Sequence, residues 1–347
     1  MARRTVYICR DFMQTKLLDS IQQGLEAGGI EVIRGPDPVP GKRLVHEPAS
    51  LDALFGRAEV MMFSSRSVCS REVMLAAPRL RGIVNAAIGV DTIDLDAAAE
   101  LGIIIGNGAL EENFLGMAEA TVMFMMMLGY GVRRTEQSLR DNLPRPPSDG
   151  MWARLMKRRT VGLIGFGRIA RSVASLLSGF NMDILVHSPR TKAEDLPAGV
   201  RLVDLDTLLA ASDFVSVHVS LNAGSRGLIG ERELALMKPE AYLINTARGD
   251  VIDEPALVRA LADKRIAGAA LDTFVVEPLP KDSPLRTLDN VILTPHMVGH
   301  TRDLMEAMAP TAIANIRNIL AGEPPVHCRN PEVLPAWRAR LERLAAG

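Results

Sequence analysis

Three polar residues of the sequence combine carboxylate binding with proton transfer. Arg248 lies in INTARGD, Glu277 in LDTFVVEP and His296 in ILTPHMVGH, and each follows a short apolar run that predicts a buried strand. Arginine binds a carboxylate through two parallel hydrogen bonds, histidine exchanges a proton near neutral pH, and a neighbouring carboxylate stabilises a charged imidazole. Singly, such residues are usually solvated or complete a turn. Because the carboxyl ends of parallel strands meet at one edge of a sheet, the three together form a candidate catalytic set.

A glycine motif accompanies this set in Thr160 to Ala174, TVGLIGFGRIARSVA. The apolar run predicts a buried strand, after which Gly165 permits a tight turn and Gly167 lets the backbone approach a ligand. Ala170 stands where a third small residue packs helix on sheet. A phosphate is favoured at such a helix N-terminus by free N–H groups and the helix dipole. Glycines also end strands for steric reasons, so the motif gains weight only from its context.

Two series of short apolar runs alternate with helical patterns, the first from residue 5 to 105 and the second from residue 160 to 296. This alternation predicts two doubly wound parallel-sheet α/β domains. Between them, residues 112–139 form the longest helical candidate, apolar nearly all round, which indicates burial on several sides. A further long helix is expected over 303–321.

Composition narrows the classes of partner. The 347 residues are 48% hydrophobic and 23% charged, and 40 basic against 41 acidic residues leave a net charge of −1, which favours a small-molecule partner over nucleic acid or an anionic membrane. Cys9, Cys69 and Cys328 lack the spacing of metal ligands or of a disulfide framework, so no metal is expected. No stretch reaches the ~18 apolar residues of a membrane span, and we expect a cytoplasmic protein.

Six segments give the sequence a specific resemblance. They are IGVDTIDLDAAAELGI, DGMW, VGLIGFGRIA, LINTARGDVIDEPALVRAL, GAALDTFVVEPLP and NVILTPH. In order and spacing they resemble the D-isomer-specific 2-hydroxyacid dehydrogenase family over nearly the whole chain. The resemblance implies a Rossmann-type cofactor domain, residues 107–298, inserted in a flavodoxin-like substrate domain formed by residues 1–106 and 299–347. It also implies a homodimer whose contact includes the long helix after the first domain.

The resemblance assigns roles to the candidate residues. Arg248 orients a 2-oxo acid, His296 protonates its carbonyl oxygen while hydride arrives from the nicotinamide, and Glu277 hydrogen-bonds His296 and favours its charged form. Main-chain amides around Ile88 and Gly89 hold the substrate carboxylate. The residues implied to bind the dinucleotide are Gly165, Gly167, Arg168, Ile169, Thr246, Ala247 and, at the nicotinamide carboxamide, Asp272.

The choice between NAD and NADP depends on the segment DILVHSPRTK. NAD-binding sheets place an acidic residue about 20 positions beyond the glycine motif to bind the ribose hydroxyls. Ser188 occupies that place, and Arg190 and Thr191 offer a 2′-phosphate charge-assisted and hydroxyl hydrogen bonds. We therefore favour NADP. In the alternative, Pro189 turns Arg190 away and Ser188 alone binds the ribose of NAD.

Several alternatives stay open. Ala86, Ala87 and Ile88 replace loop residues that are usually glycine-rich, and NGALEENFLG departs from the usual entry to the long helix, so glyoxylate, hydroxypyruvate, 3-phosphoglycerate and bulkier 2-oxo acids all remain candidates. Some relatives are dinucleotide-sensing corepressors, which makes a binding protein the second functional class. Formate dehydrogenases carry glutamine where Glu277 stands, and the glutamate favours a hydroxy acid.

Overall fold

The computed structural model describes residues 3–39, 42–145 and 152–346. The chain forms two compact units, one from residues 1–113 and 301–347 and the other from residues 114–300. The chain thus passes between the units a few residues beyond the boundaries placed at 106 and 298 in the sequence. The segment DGMW and the proline-rich loop before it lie largely outside the described residues.

The described residues contain strands β1 (Thr5–Ile8), β2 (Glu31–Arg34), β3 (Val60–Phe63), β4 (Gly82–Asn85), β5 (Ile104–Gly106), β6 (Thr160–Ile164), β7 (Asp183–His187), β8 (Val200–Leu202), β9 (Phe214–Val217), β10 (Tyr242–Asn245), β11 (Gly268–Leu271) and β12 (Val291–Leu293). The α-helices are α1 (Thr15–Ala27), α2 (Leu51–Phe55), α3 (Arg71–Leu75), α4 (Leu95–Glu100), α5 (Glu111–Tyr130), α6 (Val132–Arg140), α7 (Arg168–Leu177), α8 (Leu205–Ala211), α9 (Glu231–Leu236), α10 (Glu254–Ala262), α11 (Arg302–Ala321) and α12 (Leu334–Ala346).

The first unit is built on a five-stranded parallel sheet in the order β2-β1-β3-β4-β5, which is the flavodoxin-like order. Residues after the second unit return to it, because α11 packs on α1 and on the central strands. Ile316 and Ile319 of α11 are fully buried in the same core as the strands. Trp337 of α12 is also fully buried, and its indole N–H donates a hydrogen bond to the Arg81 carbonyl at 2.6 Å.

The second unit contains a seven-stranded parallel sheet in the order β12-β11-β10-β9-β6-β7-β8. Counting from β6, this is the Rossmann order with one strand added, and the order reverses between β6 and β9, where such sheets bind ligands. The predicted fold class, two doubly wound parallel-sheet domains, is confirmed. The sequence analysis did not identify β8, because this edge strand of three residues is largely exposed and lacks an apolar run.

The long helical candidate over residues 112–139 is wrong as one helix. The chain leaves α5 at Gly131, which has φ +58, and resumes as α6 after a bend of 57°. Glycine adopts this left-handed conformation at little cost, and Gly131 thereby ends the helix. No single described helix is long and apolar enough to cross a membrane. Of the described helices, only α5 and α6 taken together, in spite of the bend between them, have the length and composition of a membrane span.

Candidate active site

The glycine turn joins β6 to α7 at the point where the strand order reverses. Gly165 has φ +91, and a Cβ there would lie 2.7 Å from the His218 carbonyl oxygen, so both the conformation and the space require glycine. Gly167 caps α7, and a Cβ built on it meets nothing within 4 Å. No side chain among the described residues caps this helix, so its first amides remain for an anion. The turn thus fits the pyrophosphate of a dinucleotide.

Residues beside the turn are placed by packing. Ala170 is fully buried in the core between helix and sheet, as expected for the third small residue of the motif. Arg168 is exposed and lies over the Phe114 ring, with 4.9 Å from its guanidinium carbon to the ring centroid. Ile169 is half-buried. Arg168 and Ile169 therefore lie at the opening of α7.

The turn after β7 carries the residues predicted to select the dinucleotide. The Thr191 hydroxyl donates to the Ser188 hydroxyl at 2.8 Å, and the Thr191 amide donates to the Ser188 carbonyl. Arg190 is exposed. Lys192 pairs with Glu194 at 3.5 Å. The tip of this turn, residues 188–192, therefore presents hydroxyls and basic groups.

The loop after β10 positions Arg248 through a buried asparagine. Asn245 accepts a hydrogen bond from the Ala247 amide at 3.0 Å and donates one to the Arg248 carbonyl at 2.9 Å. The Arg248 guanidinium itself donates to the Ala247 carbonyl at 2.7 Å. The Thr246 hydroxyl lies 3.4 Å from that of Thr121 on α5. Sequence reasoning missed Asn245, although a polar residue ending the apolar strand YLIN was a readable signal.

His296 and Glu277 form a hydrogen-bonded pair. The His296 Nδ1 atom lies 2.8 Å and 3.0 Å from the two Glu277 carboxylate oxygens, and Glu277 also accepts the Phe274 amide at 3.1 Å. His296 is 42% exposed and has the left-handed φ of +52. Within the described chain the structure records no partner for its Nε2 atom, so that nitrogen is available for proton transfer to a ligand.

Electrostatics favour the ionised form of Glu277. Burial opposes its ionisation, but the hydrogen bond and charge of His296, the Phe274 amide and the charge of Arg248 together hold the pKa of Glu277 below its usual value. Because the charge of Arg248 acts on the Glu277 carboxylate, Arg248 lies near the pair. The structure thus brings together the three residues of the candidate catalytic set.

Asp272 holds the loop that contains His296. Its buried carboxylate accepts hydrogen bonds from the Thr294 hydroxyl at 2.6 Å, the Met297 amide at 3.0 Å and the Val298 amide at 3.2 Å. Desolvation raises the pKa of Asp272, and these hydrogen bonds oppose that rise. The implied contact of Asp272 with a nicotinamide carboxamide stays a prediction. Sequence reasoning missed the role of Thr294, which only the fold brings beside Asp272.

A further histidine lies at the reversal of strand order. His218 follows β9, donates its amide to the Ile164 carbonyl at 2.7 Å, and has Nε2 at 2.9 Å from the Ser216 hydroxyl. Burial lowers the pKa of His218 to about 4, so its ring is neutral at pH 7.

The described residues contain no cluster of His, Cys, Asp and Glu able to hold a metal ion.

Two predicted substrate residues lie in the other unit. Ile88 and Gly89 follow β4 in the first unit and are half-buried. Their implied role toward a carboxylate stays a prediction.

Comparison with known proteins confirms the resemblance. Residues 122–298 match the model for the NAD binding domain of D-isomer specific 2-hydroxyacid dehydrogenases. The chain is 40% identical over 269 residues to a glyoxylate reductase of Thermofilum pendens, covering 76% of this chain and 78% of that one. It is 37% identical over 274 residues to a D-3-phosphoglycerate dehydrogenase of Methanocaldococcus jannaschii, covering 77% of this chain but only 50% of that one.

A solved structure agrees over nearly the whole chain. The glyoxylate reductase from Paecilomyes thermophila superimposes with a TM-score of 0.82 and 27% identity, covering 96% of this chain and 99% of that one. The chain belongs to the D-isomer-specific 2-hydroxyacid dehydrogenase family, as an NAD(P)-dependent oxidoreductase acting on a small acid.

Proposed function

We propose that this protein reduces a small 2-oxo acid to the D-2-hydroxy acid, with His296 as the proton donor. The observation that carries the proposal is the 2.8 Å contact between His296 Nδ1 and the Glu277 carboxylate, in the unit that contains the glycine turn. With Nδ1 engaged by the carboxylate, Nε2 faces the substrate and gives its proton to the carbonyl oxygen. Glu277 stabilises the charged ring before the transfer.

The glycine turn and α7 hold the dinucleotide in this proposal. Gly165 makes the tight turn against His218, Gly167 leaves open space for the pyrophosphate, and the first amides of α7 donate to it. Thr246, Ala247 and Asp272 line the nicotinamide end. When bound, the reduced nicotinamide supplies the hydride that adds to the carbonyl carbon.

The substrate is held through its carboxylate. The amides of Ile88 and Gly89 donate to that carboxylate, and Arg248 binds carboxylate and carbonyl oxygens together through its planar fork. Asn245 supports this role, because its two hydrogen bonds fix the backbone on either side of Arg248. The carbonyl carbon is thereby oriented for hydride addition.

NADP is the proposed dinucleotide, on the chemistry of the turn after β7. Ser188 takes the place of the acidic residue that would repel a 2′-phosphate, and the exposed Arg190 provides a guanidinium. The Thr191 hydroxyl, which donates to Ser188 in this structure, would rotate to give a second donor to the 2′-phosphate.

A homodimer through α5 is part of the proposal. Met123, Met126 and Tyr130 are 42%, 39% and 42% exposed and follow one another on one face of the helix. Aromatic residues and methionine are enriched at the contacts between protein subunits.

The substrate class is a small 2-oxo acid, in keeping with the glyoxylate reductases among the relatives. A panel of glyoxylate, hydroxypyruvate and bulkier 2-oxo acids, with 3-phosphoglycerate in the reverse direction and formate as a control, tests this. We expect loss of reduced-cofactor absorbance with at least one oxo acid and no turnover of formate. Dinucleotide binding without turnover of any acid would favour the corepressor-like function instead.

A further inference from the structure

The loop after β4 is held by two buried asparagines. Asn85, the last residue of β4, is 2% exposed, and Asn107, which follows β5, is 4% exposed. The amide of Asn85 donates to the Gly89 carbonyl at 2.8 Å and accepts from the Ala87 amide at 3.0 Å. The amide of Asn107 donates to the Ile88 carbonyl, also at 2.8 Å.

Gly108 provides a third hydrogen bond to a carbonyl of the loop after β4. The Gly108 amide donates to the Ala87 carbonyl at 3.0 Å, and a Cβ on Gly108 would lie 1.8 Å from the Ala86 carbonyl oxygen. Glycine is therefore required at residue 108 for the close approach of the two loops. Three consecutive carbonyls, those of residues 87, 88 and 89, thus bond to donors from Gly108, Asn107 and Asn85.

The direction of two amides follows from these bonds. In a trans peptide unit, the C=O of one residue and the N–H of the next point to opposite sides. When Gly108 binds the Ala87 carbonyl, the Ile88 N–H points away from Gly108, and when Asn107 binds the Ile88 carbonyl, the Gly89 N–H points away from Asn107. In the described parts of the chain the structure records no acceptor for either N–H, and both residues are half-buried.

From this geometry we infer that Asn107 and Asn85 are positioning residues, which hold the Ile88 and Gly89 amides as a preformed site for the substrate carboxylate. The inference rests on the proposed function, because the substrate carboxylate is part of that proposal. Neither asparagine is assigned a contact with the substrate. Two adjacent main-chain N–H groups left over from the hydrogen bonds of a loop can form an anion-binding concavity. The side-chain amides are neutral, so they fix the loop without adding a competing charge.

The inference predicts an effect on substrate binding rather than on the chemical step. The carboxylate keeps its charge during hydride transfer, so the amides bind ground state and transition state alike, and their displacement raises KM with little change in kcat. For Asn107→Ala we expect the KM for the oxo acid to rise about tenfold, as for loss of one charge-assisted hydrogen bond. The Kd of the reduced dinucleotide should stay unchanged.

Asn330 provides a matched control in the same unit. It is 5% exposed, and its side chain also hydrogen-bonds to the main chain. It accepts from the Ile105 amide at 2.8 Å and donates to the Ile103 carbonyl at 3.0 Å. None of its recorded hydrogen bonds involves residues 86–89. Asn330→Ala should therefore lower Tm as much as Asn107→Ala does, while KM keeps its wild-type value.

A second variant tests the inference if Asn107→Ala does not fold. Asn85→Asp is nearly isosteric and keeps the acceptor for the Ala87 amide, but replaces the donor to the Gly89 carbonyl with an oxygen. It should raise KM at least as much as Asn107→Ala, because its charge also repels the substrate carboxylate. An unchanged KM in both variants, with an active wild-type enzyme, would overturn the inference alone. A wild-type protein that reduces no 2-oxo acid would overturn the proposed function, and this inference with it.

Discussion

At the scale of single residues, the reactivity of His296 depends on what its two ring nitrogens face. Glu277 binds Nδ1 and, in the proposed function, leaves Nε2 for the substrate, while Asp272 and Thr294 hold the loop in which His296 has φ +52. The depressed pKa of Glu277 means that this carboxylate stays charged to lower pH than usual. Its ionisation stabilises the fold above the unfolded pKa of a glutamate, and that contribution is lost as the pH falls through the folded value.

The pair predicts a pH effect in Glu277→Gln. Reduction needs the protonated imidazole, and the variant no longer stabilises that form with a carboxylate. The alkaline limb of kcat/KM for oxo acid reduction should therefore move to lower pH. The measurement is a pH profile of both proteins at saturating dinucleotide. Superimposable profiles would remove Glu277 from the proton transfer.

Arg248 is predicted to act through its shape as well as its charge. Arg248→Lys keeps the charge but loses the planar fork that holds two oxygens of the substrate. We expect kcat/KM for the oxo acid to fall about 100-fold, the order of effect of two lost charge-assisted hydrogen bonds. Dinucleotide affinity, measured by titration without substrate, serves as the control. Wild-type turnover by the lysine variant would exclude the proposed role.

Arg190 is proposed to select NADP over NAD. In Arg190→Ala the proposed partner of the 2′-phosphate is lost, whereas NADH offers no phosphate there. We expect kcat/KM for NADPH to fall about tenfold or more while the value for NADH hardly changes. Steady-state kinetics with one oxo acid and each dinucleotide measure this. A wild-type enzyme that clearly prefers NADH would contradict the assignment.

At the scale of elements, the apolar face of α5 predicts the oligomeric state. Met126→Glu places a charge on that face, and its burial in a subunit contact would be costly. We expect the wild type to be a dimer and the variant a monomer in light scattering, with unchanged circular dichroism. Lys16→Glu, at an exposed position on α1, is the control and should stay dimeric. A wild-type monomer, or a dimeric Met126→Glu, would refute the contact.

The elements also mark how far sequence reasoning reaches. Apolar runs of four or five residues, such as β6 and β9, are visible in the sequence because each strand is buried on both faces. The exposed edge strand β8 gives no such signal. The break at Gly131 was missed because glycine within a helical pattern ends a helix only when the surrounding packing uses its left-handed conformation.

At the scale of the whole molecule, sequence reasoning identified both sheets and the residues whose chemical role can be recognised from their side-chain type. Arginine, glutamate and histidine at strand ends are recognisable by type. The asparagines at 85, 107 and 245 are not, because each acts on backbone groups that become neighbours only in the folded chain. The residues that hold a site in place were therefore less predictable than the residues that form it.

The central claim is that His296 donates the proton in reduction of a 2-oxo acid. The direct test is the rate of D-2-hydroxy acid formation by wild type and His296→Gln, with dinucleotide binding measured on both. The account predicts product from the wild type, a rate lower by about 10² to 10⁴ in the variant, and equal dinucleotide affinity. A variant that forms the hydroxy acid at the wild-type rate would contradict it.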